Sequence, residues 1–261
     1  MSNIVLSDQQ KTGYERDGYL IFDPEIPASV LDGAIADLSD RYQSEGRIQD
    51  AWKTSLRVKA IALAPAVLKI LLELYGREPL PFQTLNFPVG TQQPVHSDTI
   101  HFNSQPTGFM SGVWVALEDI EMDAGPVVYY PGSHKLPELI LDDVVPTARE
   151  GFHGTTSGSS QGTAVMTAPL PPPADLYPMY YEPYIADMIA RSEMKPHYAT
   201  LKKGQAFLWA ANLLHGGSPQ TNKSRTRHSQ VTHYYYEGCT YYTPLFSDED
   251  NVHWRNPERI S

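Results

Sequence analysis

The spacing of apolar residues changes once along the chain, near Pro79. Before that point they recur at three- and four-residue intervals, as on one face of a helix. Ser7 or Asp8 is placed to cap a helix running to about Asp17, and Gly18 ends it before the short apolar run Tyr19-Leu-Ile-Phe22. Val30, Leu31, Ile35 and Leu38 form the stripe of a second helix opening near Ser29. A third is expected over 61–75, with Pro65 in its first turn. After Pro79, runs rich in aromatic and β-branched residues alternate with Gly, Pro and Asn, at 82–87, 112–117, 127–130, 198–201, 206–209 and 229–236. Short strands after a helical start predict a mainly β protein with flanking helices, an antiparallel barrel or a sandwich.

No internal repeat interrupts this order. One domain is expected over 1–261, with a mainly helical part at 1–78, a β core at 79–240 and a C-terminal tail at 241–261. The core carries an insertion at 146–183, with Gly151, Gly154, Gly158 and Gly162, then Pro171-Pro-Pro173 and the tyrosines between Tyr177 and Tyr184. A stretch this long is read as a lid or substrate loop, or else as a decorative loop.

Composition narrows the classes. Of 261 residues 41% are hydrophobic and 19% charged, enough apolar material for a sizeable core. A net charge of −10 argues against nucleic acid or an anionic membrane as partner. Cys239 is the only cysteine, so no intrachain disulfide can form, and a reducing, cytoplasmic setting is expected. No basic, apolar leader opens the chain and no apolar run reaches membrane-spanning length. Nothing in the sequence bears on oligomeric state.

The chemistry concentrates in two places. In His96-Ser97-Asp98 an imidazole and a carboxylate are two residues apart, so on an extended strand both face one way. His215 follows the 206–209 strand and precedes a glycine pair, where it can turn back into a barrel. Two histidines and one carboxylate on an octahedral ion leave positions open for other ligands, the arrangement of non-haem Fe(II) oxygenases. Arg227 shares a strand face with Ser229, Val231, His233 and Tyr235, and a guanidinium grips a carboxylate with two parallel hydrogen bonds. If the strand runs on from Asp98, alternation adds His101 and Asn103 as candidate substrate contacts. His134 is read as structural, and His153, His197, His228, His233 and His253 as surface or packing residues. The tyrosines at 177–184 and 234–242 are read as substrate-stacking or packing side chains.

Taken in order, these pieces resemble the phytanoyl-CoA dioxygenase family of Fe(II)/2-oxoglutarate-dependent oxygenases over most of the chain. The likeness is carried by Asp17-Gly-Tyr-Leu-Ile21, His96-Ser-Asp98, Trp114, Ala124-Gly-Pro126 with Tyr130-Pro-Gly-Ser-His-Lys135, His215-Gly-Gly-Ser218 and Arg227. It implies a double-stranded β-helix, the jelly-roll or cupin-like barrel, with Fe(II) on His96, Asp98 and His215. Arg227 would bind the far carboxylate of 2-oxoglutarate, helped by Ser218, with Arg225 the competing candidate. Trp114 and either Gln83 or Asn86 would line the cosubstrate pocket. Two glycines stand between His215 and Ser218 where the family usually has one. The implied reaction, with 2-oxoglutarate and O2, hydroxylates a C–H bond of a small molecule and releases succinate and CO2. Halogenating relatives replace the carboxylate with a small residue, so Asp98 favours hydroxylation. Without a basic cluster for the phosphates of coenzyme A, a small polar metabolite is the expected substrate. The alternatives are an iron enzyme that epimerises or desaturates, or a non-catalytic cupin-like barrel binding a metabolite or zinc.

Overall fold

The structure is a computed structural model, and it describes residues 5–140, 172–247 and 250–261. The first helix, α1 (Asp8–Asp17), is fixed at both ends by its sequence. The Ser7 hydroxyl accepts from the Gln10 backbone while the Gln10 side chain returns to the Ser7 N–H, and Gly18 closes the helix at a φ of 80°. The chain then enters β1 (Tyr19–Phe22), followed by α2 (Ala28–Asp37) and the single turn α3 (Ser39–Tyr42). The helix expected over 61–75 is two helices, α4 (Leu56–Ala62) and α5 (Pro65–Tyr75). Pro65 causes the break, because its ring pushes the preceding residue out of the helical region, and Ala64 sits at ψ 122°.

The largest sheet has the order β1-β8-β5-β10-β3-β2, with β2 at Ile48–Gln49, β3 at Pro79–Phe87, β5 at Met110–Ala116, β8 at Ala206–Ala210 and β10 at Ser229–Tyr236. A smaller sheet, β7-β6-β9, is formed by His197–Ala199, Val127–Tyr129 and His215–Gly217. A third joins β4 (Asn103–Gln105) to β11 (Thr240–Tyr242) and β12 (Trp254–Arg255). The strand pairs are antiparallel, as the jelly roll expected from the sequence requires.

Alternation sorts the large sheet into two buried faces. Val113, Val115, Ala206, Leu208, Tyr234 and Tyr236 pack against Leu31, Val58, Ile61, Val67, Ile70 and Leu71 of the helices. The residues between them, Trp114, Phe207, Trp209 and Val231, face Val127, Tyr129, Ala199 and Leu213 of the opposing sheet side. Because both faces are covered, every residue of β5 is buried, and the strand reads as an apolar run rather than an alternating one. Each large apolar side chain so buried is worth roughly 1.5–3 kcal/mol of transfer free energy.

Three boundaries differ from expectation. The mainly helical first part also supplies β1 and β2 to the large sheet, β1 pairing with β8. In the segment at 241–261, expected as a C-terminal tail, β11 and β12 add to β4 and bring Arg255 to the central cavity. The insertion at 146–183 lies outside the described residues as far as 171. From there the chain is helical, with α6 (Pro173–Leu176), a π-helical turn at Tyr177–Tyr181, and α7 (Glu182–Arg191). Tyr181 and Ile185 pack on Ile100, Val128 and Leu214, so this part of the insertion closes the outside of the small sheet. Among the described residues no helix is long and apolar enough to cross a membrane.

Candidate metal centre and its cavity

His96 and His215 meet because two backbone segments lie unusually close. Their backbones exchange hydrogen bonds of 2.9 and 3.0 Å, an isolated bridge that lays the chain before His96 along β9. A Cβ on Gly216 would stand 2.9 Å from the Gln93 carbonyl oxygen, and one on Gly217 would stand 2.8 Å from Gln92 Cα. Both glycines are therefore needed for this approach, which accounts for the pair where relatives have one. After His96 the chain does not continue as a strand. Ser97 caps a 3-10 turn, Asp98–Ile100, and the Asp98 N–H donates to the Ala211 carbonyl at 3.1 Å.

Among the described residues His96, Asp98 and His215 form a buried group whose ligand atoms all lie within 4.8 Å of one another. His96 Nδ1 donates to the Pro94 carbonyl at 2.8 Å and His215 Nδ1 to that of Leu213 at 2.9 Å. A carbonyl only accepts, so each Nδ1 carries the hydrogen; His215 Nε2 is then left to a metal, and His96 Nε2 accepts from the Gln93 amide at 3.3 Å, a contact a metal would replace. The two Nε2 atoms are 3.6 and 3.9 Å from Asp98 Oδ1. Ligands about 2.1 Å from one ion at right angles stand about 3.0 Å apart, so both carboxylate–imidazole pairs reach metal-ligand spacing by closing less than about 1 Å. Asp98 Oδ2 is held by the Trp209 indole N–H at 2.8 Å, which leaves Oδ1 for the ion. The donor set fits a borderline divalent metal such as Fe(II) with open positions.

Electrostatics follow from this packing. Burial alone would raise the Asp98 pKa, but His215, His96 and His233 together hold it far below the usual carboxylate range. Burial lowers His215 to about 4 against the pull of Asp98. For His96 burial acts in the same sense, yet the hydrogen bond and charge of Asp98 outweigh it and the pKa is raised.

The three ligands open into one cavity of about 440 Å³. Arg227, Trp114, Gln83 and His101 line it as well. Arg227 is 3% exposed, its guanidinium lies 5.1 Å from the Trp114 ring, and its Nη1 donates to the Gly125 carbonyl at 3.1 Å. Its Nε is buried without a partner, and burial lowers its pKa to about 10, so it remains a cation at neutral pH. Arg225 is not at the cavity, since it pairs with Asp123 at 2.8 Å.

Other placements correct the sequence reading. Between Gln83 and Asn86 the register decides. Gln83, Leu85 and Phe87 face the cavity, while Asn86 lies on the helix-facing side and donates to Gln230. Ser218 is outside the lining, its hydroxyl donating to the Pro126 carbonyl at 2.7 Å. Asn103 is also outside, because the 3-10 turn breaks the alternation that would have aligned it with Asp98, and its amide donates to Glu138 at 2.7 Å. His101 does reach the cavity, through that same turn, with the Tyr177 ring 4.9 Å behind it. Tyr177, Tyr181 and Tyr184 do not line it; Tyr177 and Tyr181 pack in the cluster of Ile100, Val128 and Leu214, and Tyr184 is exposed.

His233 is neither a surface nor a plain packing residue. It lines the cavity, its Nε2 is 3.7 Å from Asp98 Oδ2, and its Nδ1 is 3.0 Å from Gln83 Oε1. The strand alternation linking it to Arg227 was the signal that could have marked it. Arg47, Gln49, Gln93, Trp209 and Arg255 also line it and were not singled out from the sequence.

Two imidazoles and a carboxylate gathered on one side of a jelly-roll cavity have the make-up of a 2-His-1-carboxylate metal site. The chain belongs to the phytanoyl-CoA dioxygenase (PhyH) family, whose profile matches residues 14–229. It is 32% identical over 80 residues to phytanoyl-CoA dioxygenase domain-containing protein 1 of Danio rerio, a match spanning 29% of this chain and 28% of that protein. Among solved structures it is similar to the α-ketoglutarate-dependent epimerase SnoN from nogalamycin biosynthesis, with a TM-score of 0.62 and 19% identity over 90% of this chain and 84% of that one. The carbocyclase SnoK from the same biosynthesis gives 0.63 and 17%, covering 91% and 87%. EctD from S. alaskensis with bound Fe gives 0.60 and 17%, covering 90% and 79%. At these identities the structural likeness is one of fold.

Proposed function

We propose that the chain is an Fe(II)- and 2-oxoglutarate-dependent dioxygenase that hydroxylates a C–H bond of a small molecule, with release of succinate and CO2. When bound, iron and 2-oxoglutarate supply the means of turning O2 into a hydrogen-abstracting oxidant. His96, Asp98 and His215 would hold the ion. Trp209 orients the carboxylate, and the Pro94 and Leu213 carbonyls fix both imidazoles.

The observation that carries the reading is Arg227. A cation buried without a counter-charge costs several kcal/mol, and among the described residues no carboxylate pairs with it. An anionic ligand in the same cavity as the metal donors removes that cost. A 2-oxo dicarboxylate does so with one end on Arg227 and the other at the ion, while Leu85, Phe87, Val127 and Val231 keep its middle dry. A barrel that only binds zinc has no need of that guanidinium.

SnoN and SnoK are named as an epimerase and a carbocyclase on the same fold, so the fate of the substrate after hydrogen abstraction is set elsewhere in the cavity. The test is anaerobic loading with Fe(II) and 2-oxoglutarate, exposure to O2, and measurement of succinate and of label from 18O2 in the product. Hydroxylation predicts both. Succinate without label in the product points to epimerisation or desaturation, and equal activity with Zn(II) alone contradicts the oxygenase.

A further inference from the structure

We propose that the cavity contains a second carboxylate site, built on Arg255, and that the substrate is a small acid held there with its reacting carbon toward the metal ligands. This rests on the oxygenase reading above and goes beyond it by naming the substrate's chemical class.

Arg255 reaches the cavity from β12, positioned by the pairing of Tyr241 with Arg255 across β11. Its guanidinium carbon lies 4.8 Å from the Phe102 ring centroid, and its Nη1 donates to the Thr243 hydroxyl at 3.1 Å. These two contacts fix the plane of the group. Its Nε is buried with no partner, and among the described residues no carboxylate pairs with Arg255. Among the described residues, what remains unspent is the edge formed by Nε and Nη2.

Two arginines of this chain use that edge for carboxylates, while Arg57 and Arg225 reach theirs through Nη1. Arg16 holds Asp17 with Nε and Nη2 at 2.8 and 2.6 Å, and Arg41 holds Glu45 with the same pair at 2.8 and 2.9 Å. Arg227 shows the pattern of Arg255 at another place in the same cavity, with Nη1 on a protein oxygen and Nε unpaired. The two guanidiniums are separated along β10. Arg227 precedes Val231, whereas Arg255 sits beside Phe102, whose ring is 5.1 Å from that of His233. From Arg227 to His233 is six residues, about 20 Å of extended backbone, so the two arginines enter the cavity from different points along its wall.

Charge points the same way. Among the described residues, Arg47, Arg227 and Arg255 line the cavity against a single acid, Asp98. A divalent ion adds two positive charges and 2-oxoglutarate removes two, so the surplus stays positive and calls for an anionic substrate. A planar two-donor edge grips the two oxygens of a carboxylate with parallel hydrogen bonds, as Arg16 and Arg41 do. Phe102, Leu245 and Phe246 beside it suit a short aliphatic or aromatic body.

The experiment is anaerobic calorimetry on the Fe(II)-loaded protein, as wild type, Arg255→Gln, Arg255→Lys and Arg227→Gln. Each is titrated with 2-oxoglutarate, then with butyrate, hexanoate, phenylacetate and 3-phenylpropionate, each acid's primary amide, and phenyl phosphate. In the wild type at least one acid should bind roughly tenfold to a hundredfold tighter than its amide. Arg255→Gln should abolish that preference while 2-oxoglutarate binding stays within twofold, Arg255→Lys should fall between, and Arg227→Gln should weaken 2-oxoglutarate instead. Thermal melting confirms that the variants fold. Amides binding as well as acids, no acid binding, phenyl phosphate preferred to every acid, acid preference surviving in Arg255→Gln, or 2-oxoglutarate lost in that variant overturns the proposal. Absence of 2-oxoglutarate binding to the wild type strikes the oxygenase reading instead, and the acid titrations can then be read alone.

Discussion

Replacing Trp209 by Phe tests how the carboxylate of the metal centre is held. The indole N–H donates to Asp98 Oδ2 at 2.8 Å in a site where Trp209 is 2% exposed. A hydrogen bond to a charged acceptor is worth about 1.5–3 kcal/mol, and losing one that orients a metal ligand typically costs about 10–100-fold in metal affinity. Freed of Trp209, the carboxylate can turn toward His233, whose Nε2 is 3.7 Å away. The smaller ring also loses packing, but that loss falls on the metal-free and metal-loaded protein alike. The two effects separate by measuring unfolding with and without saturating Fe(II) or Mn(II) under anaerobic conditions. At a fixed metal concentration well above both dissociation constants, a tenfold weaker site reduces the metal's stabilisation by about 1.4 kcal/mol. A variant whose metal-induced stabilisation equals that of the wild type would refute the reasoning, however far its overall stability had dropped.

Gly112→Ala should copy this effect without altering any donor, because the new Cβ would lie 2.2 Å from Trp209 Cζ2 and displace the indole; wild-type metal affinity would contradict it. Arg227→Lys keeps the charge but loses the fork, and should weaken 2-oxoglutarate about 10–100-fold by calorimetry. Arg225→Ala should leave that affinity unchanged and cost at most about 1 kcal/mol in a denaturant titration, since its pair with Asp123 is partly exposed. Ser218→Ala should also spare 2-oxoglutarate binding while costing about 1 kcal/mol of stability, the value of its bond to Pro126; a loss of cosubstrate affinity there would restore Ser218 to the site.

Much of this was readable from the chain. Ser229–Tyr236 is the strand expected over 229–236, and His96, Asp98, His215, Trp114 and Arg227 converge on one cavity. Local signals sufficed where the cause was local, as in the capping box at Ser7 or the break at Pro65. They failed where partners decide. Alternation gives the face of Gln83 relative to Asn86 but not which face is inward, and a bulge that skips Phe82 opposite β10 reverses the parity within β3. His233 shared Arg227's face in the sequence, yet only the fold brings it to Asp98. Arg255 belongs to a two-residue strand that pairs across the chain, too short for any periodicity to reveal.

The convergence of three side chains on one open metal position is tested most directly by a crystal structure of the protein soaked anaerobically with Mn(II) and 2-oxoglutarate, with the ion located by its anomalous scattering. The expected result is one ion about 2.0–2.2 Å from His96 Nε2, Asp98 Oδ1 and His215 Nε2, with the far carboxylate of 2-oxoglutarate on Arg227. An ion lacking any of these three ligands, or a cosubstrate bound away from Arg227, would contradict it.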